Sequence, residues 1–211
     1  MSDAGLQIAG AGGAVLCDLA RFCARPDERL RAARLRELAG AAAPLIGVPA
    51  CAAAFGRHIA GVLNLRALPV THMPTGAEAL ALYVALAPFG RLDPILRALA
   101  GAVWQDAIRG ALRKADRQAW IDRVGSDGVD LALRQGPMLY AALAGVAPGA
   151  AYSADAAERL LAAWLAGRSD LAAQIWAARS GHAAPDAPMG EAASRQVARL
   201  IGAREPTWTD A

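Results

Sequence analysis

Apolar residues recur along the chain at helical spacing and almost nowhere alternate with polar ones. Ile95, Leu99 and Val103 lie four apart, as do Trp104, Ile108 and Leu112. Leu160, Leu161, Trp164 and Leu165 make another stripe, and Leu171, Ile175 and Trp176 a third. Residues so spaced share one face of an α-helix, the face a bundle buries. Period-two alternation and β-branched clusters are nearly absent. No self-similar unit of roughly 20–50 residues is visible. The pattern predicts an all-α fold: an irregular multi-helix bundle in a single domain with one core.

Capping and breaking residues divide the chain. A first helix is expected over Val15 to Cys23. Pro26 opens a second, with Asp27 and Glu28 in its first turn, running to Leu38. A third is expected over Ala50 to Leu65, with Phe55, Ile59, Val62 and Leu63 inward. The uncharged run from Glu37 to Arg57 is interrupted by Pro44, Gly47 and Pro49, so it reads as a loop between helices and not as a membrane span. Leu68 to Pro74 reads as a loop. Thr75 and Glu78 form a capping box before the apolar run Ala79 to Ala87. Pro88 and Gly90 end that helix, and Asp93-Pro94 starts the next, with Gly101 bending or splitting it. The helix of Trp120, Ile121 and Val124 stops near Gly125. Ser126 caps the following one, with Asp127 and Asp130 in its first turn, and that helix ends by Gly136-Pro137. Ser153 and Ser169 are the expected caps of two further helices, and a last helix covers Glu191 to Gly202. Residues 1–14 are expected to be a flexible N-terminus, 15–203 the helical domain with a linker over 181–190, and 204–211 a polar tail.

Composition narrows the function classes. The chain is 55% hydrophobic, but much of this is alanine, so the core must lean on Leu, Ile, Val and five Trp. The net charge is +3, carried almost wholly by arginine, with Lys114 the single lysine. The arginines are mixed with acids and lack interleaved aromatics, so no nucleic-acid interface is expected. Cys17, Cys23 and Cys51 are odd in number and loosely spaced, which suits a reducing cytosol better than a disulfide framework. No basic residue precedes Arg21, so no signal peptide is expected. These features predict a cytoplasmic protein without direct membrane insertion.

Chemistry-bearing motifs are scarce. Gly10-Ala11-Gly12-Gly13 lacks the preceding strand and third glycine of a dinucleotide loop. Gly167-Arg168-Ser169-Asp170-Leu171 breaks the nucleophile-elbow pattern at its last position. His58, His72 and His182 have no second ligand at metal-binding helical spacing, and Cys51 with His58 makes only two of the three or more ligands a zinc site needs. No phosphate-binding loop is present, and Asp127 and Asp130 are explained as helix-start acids. No catalytic, cofactor-binding or metal-binding residue is therefore assigned. Trp104, Trp120, Trp164 and Trp176 are expected core anchors, with an interface hot spot the alternative for one or two of the five Trp, and Trp208 is the candidate exposed aromatic or part of a disordered end. Arg109, Arg113, Lys114, Arg117, Arg123 and Arg134 cluster around short helices and are the candidate partner-binding face, with Trp104, Ile108 and Leu112 rooting it in the core.

One stretch resembles a known family. From Ala79 to Leu139 the chain reads ALALYVALAPFGRLDPILRALAGAVWQDAIRGALRKADRQAWIDRVGSDGVDLALRQGPML. A Leu-rich helix ends in a Gly-containing break, and a helix with Ala107-Ile108-Arg109 follows. A short helix then ends at Gly125, before the segment Asp127 to Pro137 with Ala132-Leu133. This order resembles the SctK (YscK-type) family of bacterial type III secretion systems, and LARFCARPDERL from Leu19 resembles the family's start. The resemblance implies a helical, non-enzymatic adaptor without a cofactor. It also implies two protein partners, the cytoplasmic domain of the inner-membrane ring protein SctD and the sorting-platform pod protein SctQ. The chain would then lie in the cytoplasm, peripheral to the inner membrane through protein contacts. The competing expectations are a small helical enzyme and an unrelated helical regulator or chaperone-like protein.

Overall fold

A computed structural model describes residues 11–65, 74–144, 146, 155–183 and 189–205. Among these residues there are eleven α-helices and no strand, so the fold is all-α. The helices are α1 (Ala11–Ala24), α2 (Ala32–Ala39), α3 (Ala52–Val62), α4 (Gly76–Leu86), α5 (Phe89–Val103), α6 (Gln105–Gly110), α7 (Lys114–Arg134), α8 (Gly136–Leu139), α9 (Ala156–Ala166), α10 (Asp170–Ser180) and α11 (Glu191–Arg204). Short 3-10 turns join several of them.

The core is built around α5. Leu92, Ile95 and Leu99 are fully buried, and from Ala98 to Val103 every residue is buried. That helix packs along α7 and against α9 and α11, while α10 packs on α9 and α4, and α1 on α4 and α3. The expected stripe of Leu160, Leu161, Trp164 and Leu165 is buried, as are Ile175 and Trp176. Alanine and glycine let these helices approach closely. A Cβ placed on Gly101 would meet the Gly128 carbonyl and lie 2.9 Å from the Gly128 Cα, and one on Gly128 would lie 2.8 Å from the Arg97 carbonyl oxygen. Gly101 therefore serves the α5–α7 contact and does not bend its helix; the break comes at Trp104, with φ −97° and ψ 19°.

Several boundaries differ from the sequence expectation. The first helix begins at Ala11, so 11–14 are helical and of the expected flexible N-terminus only residues 1–10 lie outside the described residues. Pro26 opens only a 3-10 turn, Pro26–Glu28, and α2 starts afresh at Ala32. α5 begins at Phe89, directly after Pro88, and Pro94 lies inside it. So near a helix start the proline forgoes a single hydrogen bond, to Gly90. Thr75 does precede α4, but its side chain makes no capping bond. Ser169 caps α10 as expected, its hydroxyl accepting from the Ala172 N–H at 3.3 Å. Ser153, His72, Trp208 and residues 66–73 and 147–154 lie outside the described residues. Gly125, with φ 77° and ψ 163°, interrupts α7 where the sequence ends one helix and starts another.

The expectation of one core also needs correcting. Leu35, Ala39, Phe55 and Ile59 form a small second cluster between α2 and α3, apart from the main one. Val62, expected inward, is 50% exposed, because only Phe55 and Ile59 of that helix reach the small cluster.

The Gly101–Gly128 contact gives a stability test. Gly101→Ala should cost about 2 kcal/mol or more, since backbone has to move to admit the methyl group. Gly61→Ala, with open space where its Cβ would sit, should be neutral or stabilising by about 0.5–1 kcal/mol. Urea unfolding followed by far-UV circular dichroism reads both. Equal midpoints for Gly101→Ala and the unaltered chain would contradict the close approach.

Candidate functional site

The candidate basic residues all lie on the surface, in different surroundings. Arg109 is in the last turn of α6, Arg113 is the residue before α7, Lys114 opens α7, and Arg117 follows one turn later. These four make no ion pair with any described residue. Arg123 is elsewhere: its guanidinium lies 5.4 Å from the centre of the Trp120 ring, and it lines a separate cleft. Arg134 stands beyond the Gly125 break and pairs with Asp130 at 3.5 Å. The face therefore reduces to a corner of four cations between α6 and α7, with Asp106 and Asp116 as its acids.

Trp104 and Ile108 root this corner in the core, at 4% and 1% exposure, but Leu112 is 85% exposed. The four-residue spacing fails there because α6 ends at Gly110, and Ala111 leaves helical geometry with ψ 81°. Leu112 is thus an apolar side chain on a connector, next to Arg113 and Lys114. Their position has a physical cost. A helix N-terminus carries partial positive charge and favours acids, so cations there are unfavourable for the isolated helix. Asp116 is the single acid in that first turn. The corner concentrates positive charge from side chains and free N–H groups around one exposed leucine.

A second cluster is buried and was not foreseen. Arg179, on α10, is fully buried. Its Nε donates to the Arg29 carbonyl at 3.0 Å, one terminal nitrogen to the Ala87 carbonyl at 2.6 Å and the other to the Ala85 carbonyl. Arg29 donates to the Leu86 carbonyl at 2.7 Å. The last carbonyls of α4 have no intrahelical partner, and two arginines satisfy them. The Phe89 ring centre lies 4.4 Å from the Arg31 guanidinium and 4.7 Å from that of Arg179, and the ring tilts against Trp176 at 6.0 Å. Burial, reinforced by Arg29 and Arg31, pushes the Arg179 guanidinium down to about 9, so it remains charged at neutral pH.

Beside it opens a cleft of about 200 Å³ lined by Arg31, Arg97 and Arg123, by Asp93 and Glu158, and by small apolar residues. The buried Glu158 carboxylate meets Arg31 at 2.6 Å and the His182 imidazole at 3.6 Å. Burial raises its pKa above the usual carboxylate range, although Arg31 and His182 oppose this. The Glu158 carbonyl also accepts the Trp176 indole N–H at 3.2 Å. The His182 expected in a linker is thus held to α9. A signal for both buried charges existed: Glu158 falls seven before Leu165 and three before Leu161, and Arg179 falls seven after Ala172 and four after Ile175. Each charge therefore continues an apolar stripe. Among the described residues no group of three or more His, Cys, Asp and Glu could hold a metal ion. Cys51 is half-buried and His58 exposed.

The raised Glu158 pKa fixes the sign of a pH effect. The folded state favours the protonated acid, so the stability this group contributes is present at acid pH and lost as pH rises from the ordinary glutamate range through the raised value. Glu158→Gln should match the unaltered chain at acid pH and become the more stable form towards neutrality. Urea midpoints across that range test this; a Gln variant progressively less stable towards neutral pH would mean that the Arg31 and His182 contacts outweigh burial.

Comparison with known protein families, with characterised proteins and with solved structures finds no match.

Proposed function

We propose that the chain is a non-enzymatic adaptor that binds other proteins, and that the corner between α6 and α7 is one of its docking surfaces. The observation that carries this is the corner itself: Arg109, Arg113, Lys114 and Arg117, with no ion pair to any described residue, around a leucine that is 85% exposed. Interfaces favour an apolar anchor ringed by polar groups, and arginine pairs bidentately with carboxylates. The matching partner surface is acidic around an apolar pocket. The resemblance of Ala79 to Leu139 to the SctK family suggests which partners these are: SctD's cytoplasmic domain and SctQ, with the chain bridging them in the cytoplasm. The corner lies inside that stretch. Clustered cations would speed association, and the buried leucine would slow dissociation.

The test is charge reversal at the corner. Arg113→Glu with Arg117→Glu should leave the helical circular dichroism spectrum unchanged, since both side chains are exposed. Capture of SctD's cytoplasmic domain or of SctQ should weaken by about tenfold or more, with the difference growing at low salt. Undiminished capture of both partners would remove the corner as an interface.

A further inference from the structure

From Leu38 to Gly56 the chain has no charged residue, yet most of this run lies on the surface. Pro44, Leu45, Gly47, Val48 and Pro49 are all exposed, Leu45 at 42% and Val48 at 38%. The two helical arms that meet here, Ala32–Leu45 and Pro49–Val62, are bent by 112°, which makes the connection an apex. Ile46 packs inward on the small cluster of Leu35, Ala39, Phe55 and Ile59, so the apex has its own support.

Much of the apex backbone is already satisfied, although the Gly47 N–H donates to no described group. Pro44 and Pro49 have no N–H to desolvate. The N–H groups of Ile46, Val48 and Cys51 donate to the carbonyls of Ala43, Leu45 and Val48 at 3.1, 3.1 and 3.0 Å. Backbone groups satisfied in this way lower the penalty for entering an apolar medium. Charge begins only at the rim, where Arg36 and Arg57 are exposed and make no ion pair with any described residue. Exposed His58 stands beside Arg57, and Glu37 is already paired with Arg34 at 2.7 Å.

We propose that the uncharged apex from Pro44 to Pro49, rimmed by Arg36 and Arg57, is an interfacial site that rests on an anionic lipid surface. The contact is proposed as peripheral: no single described helix is long and apolar enough to cross a membrane, and the two arms that meet here, which reach that length and composition only as a pair, are bent by 112°. It adds a lipid contact to the expected attachment through proteins and keeps the expectation of no direct membrane insertion. The residue types favour lipid over a protein partner. Protein hot spots are rich in Trp, Tyr and Arg, whereas the centre of this apex is aliphatic and small, with no group that fixes an orientation. A lipid interface requires only apolar area, satisfied peptides and nearby cations. A second copy is disfavoured because it would bring like-charged arginine rims together. The inference does not depend on the corner between α6 and α7.

The test is co-sedimentation of the full chain with phosphatidylcholine vesicles and with vesicles that also contain phosphatidylglycerol. Binding should be stronger to the anionic vesicles and should weaken with salt. Arg36→Glu with Arg57→Glu should abolish the anionic preference, at roughly fivefold for each arginine. Leu45→Glu with Val48→Glu should lower vesicle binding more than tenfold and keep the helical spectrum, and Leu45→Ser alone should give an intermediate loss. Arg113→Glu with Arg117→Glu should bind vesicles like the unaltered chain, which separates this site from the docking corner. The proposal is overturned by absence of vesicle binding, or by binding that survives Leu45→Glu with Val48→Glu. Self-association that Val48→Glu dissolves, without any vesicle binding, overturns it equally.

Discussion

Arg179 enters the interior from α10 with no carboxylate partner among the described residues and binds three main-chain carbonyls, those of Arg29, Ala85 and Ala87. The constraint behind this is the corner between α4 and α5. α4 is apolar on nearly every side and ends inside the protein, so its last carbonyls cannot turn to water. Pro88 ends the run of helical hydrogen bonds there. An unpaired buried carbonyl costs about 1–3 kcal/mol, and a planar guanidinium serves two of these from one side chain. The same group reaches the Arg29 carbonyl and so ties the turn before α2 to the main core. The Phe89 ring meets both the Arg31 and the Arg179 guanidiniums through cation–π contacts. The buried charges around the Glu158 cleft follow from this arrangement, since Arg31 meets both Phe89 and Glu158.

The helical stripes were legible because they rest on a period that every buried helix must obey. Ile95, Leu99, Ile108, Leu161 and Trp164 are where that period places them. Gly125 and Ser169 were legible because a positive φ and a cap bond each favour a small set of residues. Pro94 misled, because proline is tolerated near a helix start as well as at it. Leu112 misled because its helix ends two residues earlier, and spacing alone carries no information about where a helix stops.

The polar cluster was missed for a different reason. Arg179 and Glu158 look like surface charges at helix ends, and their partners are distant in sequence: Arg29 and Ala85 for the one, Arg31 for the other. Only their place on the apolar stripe marks them. The basic face was legible as residues but not as geometry. A break at Gly125 separates Arg134 from the corner, and Arg123 turns to the cleft beside Glu158.

The two surfaces proposed for contact lie at sites where local physics gains little from the residues present. Cations occupy the start of α7 against the helix dipole, and an uncharged apex faces solvent between α2 and α3. Trp104 and Ile108 root the first in the main core, and the small cluster of Leu35, Ala39, Phe55 and Ile59 supports the second. An adaptor has to hold its two protein partners at once, and a three-component binding experiment tests the proposed role most directly. Size-exclusion chromatography of the chain with SctD's cytoplasmic domain and SctQ should yield one complex that contains all three, with each partner also captured alone. If neither partner binds, or if one displaces the other, the adaptor account is contradicted.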